Sequence, residues 1–483
     1  MKNSLLIVIA AVLAGCADGS GSSSNAGSFS CDVLARENLP QDVDAVAAQR
    51  RLAASDTQDI SGYKSFIVKY KNQPADQGLQ PSGNPVREFK VKGVTFKFLV
   101  QGTHAFELNM SADERKQFIA DIRADSNVDY VEPDYPIHAI ETDASEGDWS
   151  AATNDPYFSR QWMHTTVQTE KAWHVTTGSK NIVVAVLDSG IDYTHKDLKN
   201  NMWINPQETV NGIDDDNNGY VDDVYGWNFV SDNAYPKTTS SSNHGSHVAG
   251  IIGATGSNNT GVIGMAPDVR MMALRFIGDT GTGSTSGAIR GIDYAVSKRV
   301  FAINNSWGSS GTSRALGDAI ARAEKAGVLF LVAAGNGTNG VGFSIDRTPW
   351  YPASYKNSNV LTVAATQPND NLTAFSNYGL TKVDVAAPGA QILSTVSNQA
   401  YQNMSGTSMA TPLVTGLAVL VKAANPNLSH REIIQIIRGS VDRKSSLASK
   451  IASGGRVNAY KAVSIAAQNI NKSPNAKLEI PCP

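Results

Sequence analysis

The chain has 483 residues, a formal net charge of −3 and only 18% charged residues. That balance argues against nucleic acid as a substrate, and the length leaves room for one large domain plus a small unit. The 41 glycines suit a loop-rich secreted α/β protein, and no repeat or long low-complexity region appears. At the start, Met1-Lys2 precedes an apolar run, Leu5–Ala14. It is too short to cross a bilayer, which takes about 20 residues, and behind a positive start it reads as a signal-peptide core within residues 1–15. Residues 16–60 follow as a tether, with Gly, Ser and Asn dominating residues 17–30.

Residues 61–139 read as a small unit. Ser65–Tyr70 alternates as a strand does, and Val94–Val100 with His104–Leu108 suggests a hairpin. Ser111-Ala-Asp-Glu114 is a capping box ahead of Phe118, Ile119 and Ile122, which share one helix face. Val128–Pro133 supplies a last strand. Pro74, Gly78, Pro81, Gly83 and Pro85 break any helix over residues 72–86. The acidic, small-residue segment 140–153 reads as a linker. Residues 154–466 form the main domain and 467–483 a tail.

Within the main domain, Asn181–Leu187 is a continuous apolar run, as expected of a strand buried on both faces, and it ends in Asp188. A carboxylate at the end of a parallel strand lies where open α/β sheets place ligands. Asn211–Asp223 carries Asp214, Asp216, Asn218, Tyr220, Asp222 and Asp223 around Gly219, a pattern of hard oxygen ligands that resembles a calcium loop. Position twelve is Tyr225 rather than Glu, so it is no EF-hand, and a solvated acidic loop is the alternative. Asn243–Ile252 is a polar loop entering an apolar helix, with His244 and His247 at its start. Spacing alone does not choose between these histidines, and with Asp188 they would also suit a metal-dependent hydrolase. Gly281–Ser284 is a Gly-rich stretch before a helix over 285–297. Val300–Asn305 is a strand followed by Ser306, Trp307 and Gly308. Leu329–Asn336 is a further strand and turn. Finally, Gly406–Pro412 holds Ser408 before the apolar helical run Leu413–Val421, with Pro412 in the first turn. Free amides and the helix dipole favour negative charge there. Ser408 is either a helix cap or a nucleophile, and the chain order Asp, His, Ser is one of three known for serine hydrolases.

VVAVLDSGID, NHGSHVAGIIGA and GTSMATP resemble the three catalytic signatures of the subtilisin-like serine proteases, and LFLVAAGN resembles the family's strand that ends in an oxyanion-hole asparagine. The similarity runs from about Asn154 to about Val463. It implies a doubly wound, mostly parallel α/β domain preceded by a small α+β ferredoxin-like inhibitory propeptide with two helices. It implies a serine endopeptidase in which Ser408 attacks, His244 is the base, Asp188 orients it and Asn336 binds the oxyanion; His247 is then a packing residue. Gly281, Gly283, Ser306, Trp307 and Gly308 would flank an extended peptide substrate. Ala333, Ala334 and Gly335 would line the pocket for the residue before the scissile bond. Trp350 falls near that pocket's floor; pointing inward, it makes the pocket shallow, and otherwise it packs elsewhere. The segment Asn154–Phe158 resembles a thermitase-like N-terminus, which implies a second calcium site from Asp155, Asp197 and Asn258 with the carbonyls of Gly256, Thr260 and Val262. The propeptide's C-terminal tail would lie product-like in the site until cleavage within Ile140–Thr153.

Leu13-Ala-Gly-Cys16 resembles a bacterial lipobox, which implies a lipid-modified Cys16. Ala17 is not acidic, so in a Gram-negative cell the resemblance leans toward an outer-membrane lipoprotein; ordinary secretion is the rival. Cys31 and Cys482 could pair and tether the cleaved propeptide, or stay as thiols. The expected partners are peptide substrates, the chain's own propeptide and, through the lipid alone, a membrane, around a monomer. A non-catalytic surface-binding lipoprotein would need a damaged triad, and none is visible.

Overall fold

A computed structural model of the chain describes residues 59–71, 88–91, 93–100, 102–139, 142–143, 153–239 and 241–470. Cys16, Cys31, Cys482, the signal segment and the helix-breaking segment 72–86 lie outside the described residues.

The small N-terminal sheet comprises β1 (Ser65–Tyr70), β2 (Glu88–Val91), β3 (Val94–Val100), β4 (Thr103–Glu107) and β5 (Val128–Pro133), in the antiparallel order β2-β3-β4-β1-β5. One helix, α1 (Ala112–Ala124), crosses it among the described residues, where two were expected. Its start is the predicted capping box: Ser111 and Glu114 exchange side-chain and backbone hydrogen bonds. Phe118 and Ile119 of α1 pack with Phe66, Val68, Phe96 and Phe106. Ile67, Leu99 and Tyr130 fall on the opposite face and join a core shared with the main domain. The alternation in β1 therefore serves two apolar layers, because residues one apart point to opposite faces.

Beyond β5 the chain leaves this sheet as β6 (Pro136–Ala139) and β7 (Thr142–Asp143). The main domain adds α2 (Trp162–Thr166), α3 (Thr169–Trp173), β8 (Gly178–Asp188), β9 (Gly226–Asn228), α4 (His244–Gly253), β10 (Asp268–Arg275), β11 (Thr282–Ser284), α5 (Thr285–Ser297), β12 (Ala302–Asn305), β13 (Trp307–Gly308), α6 (Arg314–Lys325) and β14 (Leu329–Ala333). It continues with β15 (Val360–Thr366), β16 (Val385–Pro388), β17 (Ile392–Val396), β18 (Ala400–Ser405), α7 (Thr407–Ala424), α8 (His430–Gly439), β19 (Asp442–Arg443), β20 (Gly455–Arg456) and α9 (Ala459–Gln468). The central sheet runs β19-β20-β16-β15-β14-β12-β8-β10-β9 and is parallel except at β19.

Both faces are covered, so its strands are apolar on both sides. In β8, Val184 and Val186 face the layer that holds α4, α7, α8 and α9, while Ala185 and Leu187 face the layer of α5 and α6. This is the doubly wound architecture expected. The helix α7 is long and apolar enough to cross a membrane by composition, yet Thr407–Val421 is buried throughout and forms the domain's central core helix.

The start of α7 corrects the sequence reading. The helix begins at Thr407, so Pro412 sits inside it rather than in its first turn. A proline there removes the N–H that would bond the carbonyl of Ser408. That carbonyl is satisfied from outside the helix, by the Ser306 hydroxyl at 3.0 Å.

Candidate active site

The carboxyl ends of β8, β12 and β14 meet the N-termini of α4 and α7. Asp188 ends β8 fully buried, and its Oδ1 accepts from the Ser189 amide at 2.7 Å and lies 2.8 Å from His244 Nδ1. His244, 2% exposed, opens α4. Its neighbour must be glycine: a Cβ on Gly245 would stand 2.2 Å from the Gly190 carbonyl oxygen, so that close approach is what seats the helix start against the turn after Asp188.

Ser408 is the second residue of α7, where a backbone N–H has no partner within the helix. Its hydroxyl donates to the Ser306 carbonyl at 3.0 Å, the reciprocal of the contact described above. Asn336 follows β14. Its Oδ1 accepts from the backbone N–H and the hydroxyl of Thr407, both at 2.9 Å, which fixes the orientation of the amide. The Nδ2 on the other side is buried without a hydrogen-bond partner. A buried donor left unpaired costs about 1–3 kcal/mol, so it marks a place where an acceptor belongs. Thr407, which orients Asn336, was missed by sequence reasoning; nothing in its local pattern signals that role.

His247 is fully buried on α4, with Nε2 2.9 Å from the Gln402 carbonyl oxygen. Burial pushes it down to about 3, so it is neutral. Among the described residues the ligand atoms of Asp188, His244 and His247 do not gather closely enough to share a metal ion, so the metal-hydrolase set is not assembled.

Gly281–Ser284 and Trp307–Gly308 lie on either side of an extended strand that belongs to the chain itself. β6 pairs antiparallel with β11 through Thr282–His138, Gly283–Ile137 and Ser284–Pro136, and with β13 through Trp307–Ala139 and Gly308–His138. The Ala139 amide donates to the Gly281 carbonyl at 3.1 Å. Pairing turns the predicted flexible Gly-rich stretch into a strand. Ile137 is 1% exposed, in the same core as Phe276 and Trp307. Further on, Thr142 and Asp143 pair with Ser405 and Met404 of β18, which runs directly into Gly406 and Ser408.

Two carboxylates that the sequence did not single out hold this arrangement. Glu132 caps α6, accepting from the Ser313 hydroxyl at 2.6 Å and the Arg314 amide at 3.0 Å. Asp134 caps α5, accepting from the Ser286 amide at 2.9 Å. Burial pushes the Glu132 carboxyl up to about 7 and raises Asp134. The only local signal was their position on either side of Pro133 at a strand end.

Trp350 points inward. Its indole Nε1 would lie 2.3 Å from a Cβ on Gly308 and 2.8 Å from one on Gly335, so the ring edge fills the slot between those two glycines. Ala333 and Ala334 are fully buried beside it.

The two candidate calcium sets differ. Asp155 and Asp197 converge on Asn258: Asp155 Oδ1 accepts the Asn258 amide at 3.1 Å, and Asp197 Oδ1 accepts from Asn258 Nδ2 at 3.0 Å. Asn258 Oδ1 is left buried and unpartnered, and burial raises the Asp197 carboxyl. That donor set fits a hard cation. In the acidic loop, Asp214 and Asp216 come together with Glu208, which sequence reasoning missed because it lies outside the loop pattern. Glu208 is 6% exposed and its Oε2 is unpartnered. The other expected ligands are spent elsewhere. Asp222 caps the Asn211 and Gly212 amides, and Asp223 takes hydrogen bonds from Asn205, Asn218 and Tyr294, while Lys298 pairs with Asp216 at 2.5 Å as well as with Asp223 at 3.3 Å. Asn218 Oδ1 accepts the Tyr220 amide, and the Tyr220 ring packs edge-on against Trp227.

Residues 179–460 match the subtilase family, Peptidase S8. The chain is 36% identical over 335 residues to "Subtilisin-like protease 1" of Plasmodium berghei, a match covering 66% of the chain and 56% of that protein. It is 37% identical over 337 residues to "Thermophilic serine proteinase" of Bacillus sp. (strain AK1), covering 70% and 73%. It is 37% identical over 311 residues to "Thermitase" of Thermoactinomyces vulgaris, covering 64% and 98%. In fold it is similar to fervidolysin from Fervidobacterium pennivorans, with a TM-score of 0.65 at 23% identity, covering 83% of this chain and 61% of that one. With the family match spanning more than half of its length and the parallel sheet, helix starts and cleft all in place, the chain belongs to the subtilase family.

Proposed function

We propose that the chain is a serine endopeptidase, stabilised by calcium and made with its own inhibitory N-terminal domain. The observation that carries this reading is the pairing of residues 136–139 and 142–143. They enter the cleft as a strand between β11 and β13 and leave it paired with β18, with Ser408 one short turn away. Strand addition is how extended peptides are held by main-chain hydrogen bonds.

In the reaction, the Ser408 hydroxyl gives up its bond to Ser306 and attacks the scissile carbonyl while His244 Nε2 takes its proton. Asp188 holds Nδ1–H and stabilises the imidazolium. The oxyanion is met by Asn336 Nδ2 and the Ser408 backbone N–H, donors already in place before charge develops. Losing one such donor typically costs about 100- to 1000-fold in turnover. His244 then protonates the leaving amine, and water hydrolyses the acyl-enzyme. Phosphonylation tests the assignment: a fluorophosphonate is expected to modify Ser408 alone, located by peptide mass mapping. Inactivation without a label on Ser408 would contradict it.

The small domain is read as an inhibitory propeptide, docked by the Glu132 and Asp134 caps, with maturation by a cut within residues 140–153. Helix caps are each worth about 1–2 kcal/mol. Glu132→Ala with Asp134→Ala is therefore expected to loosen the processed complex by roughly 30- to 1000-fold, seen as earlier release of activity toward an added peptide. Unchanged latency would remove the docking role.

Calcium would be held by Asp155, Asp197 and Asn258, and by Glu208, Asp214 and Asp216, neutralising gathered carboxylates and closing surface loops. A cation that binds only the folded state adds about 2.7 kcal/mol at a hundredfold excess over Kd, or roughly 4 °C in Tm for a domain of this size. Chelation is expected to lower Tm by that amount, and Asp197→Ala to abolish much of the response. An identical chelator response in the variant would remove this site. "Minor extracellular protease Epr" of Bacillus subtilis, 31% identical over 382 residues, carries an extracellular location in its name. Together with the lipobox-like Cys16 segment, this supports export to the cell envelope, with or without later release, as a monomer.

A further inference from the structure

We propose that the Trp350 indole N–H makes the pocket for the residue before the scissile bond selective for short side chains carrying a neutral hydrogen-bond acceptor: asparagine, serine and threonine. The inference rests on the serine endopeptidase reading above. It comes from a donor that the reaction does not use.

Trp350 is anchored from both sides. Its backbone N–H donates to the Ser354 hydroxyl at 3.1 Å. The next residue, Tyr351, exchanges two 2.8 Å backbone hydrogen bonds with Ser309, the residue after β13. The ring is therefore tied to the strand that pairs with the bound peptide. Its leading edge, not its face, lies in the slot. Nε1 is the nearest atom to where a Cβ on Gly308 would be, at 2.3 Å, and Nε1 and Cδ1 stand 2.8 and 2.9 Å from one on Gly335. Any larger residue at either glycine would collide with the indole, so two glycines and one tryptophan together define the slot.

Nε1 is buried and has no hydrogen-bond partner. The nearby Asn377 Nδ2 is already committed to the Ala334 carbonyl at 2.9 Å. The other walls, Ala333 and Ala334, are apolar. A buried indole N–H normally finds an acceptor, and Gly308, which borders the slot, pairs with His138 of the bound strand. An incoming acceptor satisfies the donor. An apolar isostere leaves it unpaired, the situation in which binding sites discriminate most strongly. The ring's bulk limits length, and a carboxylate would bring an uncompensated charge into an apolar slot. The chain's own tail is exempt from this selection, because tethering replaces pocket affinity with high effective concentration.

The test uses the processed full-length protein and peptides that differ only in the residue before the cut, in the isosteric pairs Thr/Val and Asn/Leu. The wild type is expected to favour Thr over Val and Asn over Leu by about tenfold or more in kcat/KM. Trp350→Phe keeps most of the ring and loses the donor, so both ratios should fall to near 1. Trp350→Gly empties the slot and should raise cleavage after Phe and Leu at least tenfold. Wild-type ratios near 1, or ratios unchanged in Trp350→Phe, overturn the inference while leaving the protease intact. Absence of any Ser408-dependent cleavage overturns the underlying reading, and this inference with it.

Discussion

Ser408→Ala is expected to leave the chain uncleaved and inactive, with peptide hydrolysis down by roughly 10⁶-fold, the scale on which removing a triad nucleophile acts. The substitution removes one oxygen whose only hydrogen bond among the described residues is to the Ser306 carbonyl, so the fold should persist. Two readouts check it. Electrophoresis should show a single unprocessed species for the variant, while the wild type yields a fragment produced by a cut within residues 140–153. A variant that still matures or still cleaves peptides would end the assignment of Ser408 as the nucleophile.

Asp188→Asn should cost about 10⁴-fold in kcat with little change in KM. Asp188 is fully buried and its Oδ1 lies 2.8 Å from His244 Nδ1. An amide of the same shape can present its nitrogen to that ring, which reverses the hydrogen bond and leaves Nε2 protonated. The base is then in the wrong tautomer for accepting the Ser408 proton, although every atom is close to its original place. The effect therefore separates electrostatic from structural roles: Tm should move little while turnover collapses. A loss smaller than tenfold would mean that another group orients His244.

Much of the architecture was readable before any coordinates. The capping box at Ser111–Glu114, the strands over 65–70 and 94–100, and the buried strand ending at Asp188 depend on residues close together in the chain. Their periods and caps are local, and tertiary packing reinforces them. The start of α7 was misjudged because Pro412 is a strong local stop signal, and only the Ser306 hydroxyl, about a hundred positions away in sequence, supplies the hydrogen bond that makes a proline tolerable there.

The acidic loop shows the same limit more sharply. Alternating carboxylates announced a cation-binding pattern, but which of them converge depends on Asn205, Asn218 and Tyr294, which take up Asp223, and on Glu208, which joins from outside the pattern.

By itself, the sequence determined the order of the chemistry-bearing residues, the strand that ends at Asp188, the helices that follow His244 and Ser408 and the polar loops that present them, since these follow from local periodicity, capping and turn chemistry. The tertiary structure alone decided that the His244 ring meets Asp188 while the His247 ring turns to Gln402, that Trp350 projects between Gly308 and Gly335, and that residues 136–139 occupy the cleft as a strand. Each of those outcomes is a contact between segments tens to hundreds of residues apart. Its free energy belongs to the packed assembly of sheet, helices and glycine-lined approaches, and no window of neighbouring residues contains it.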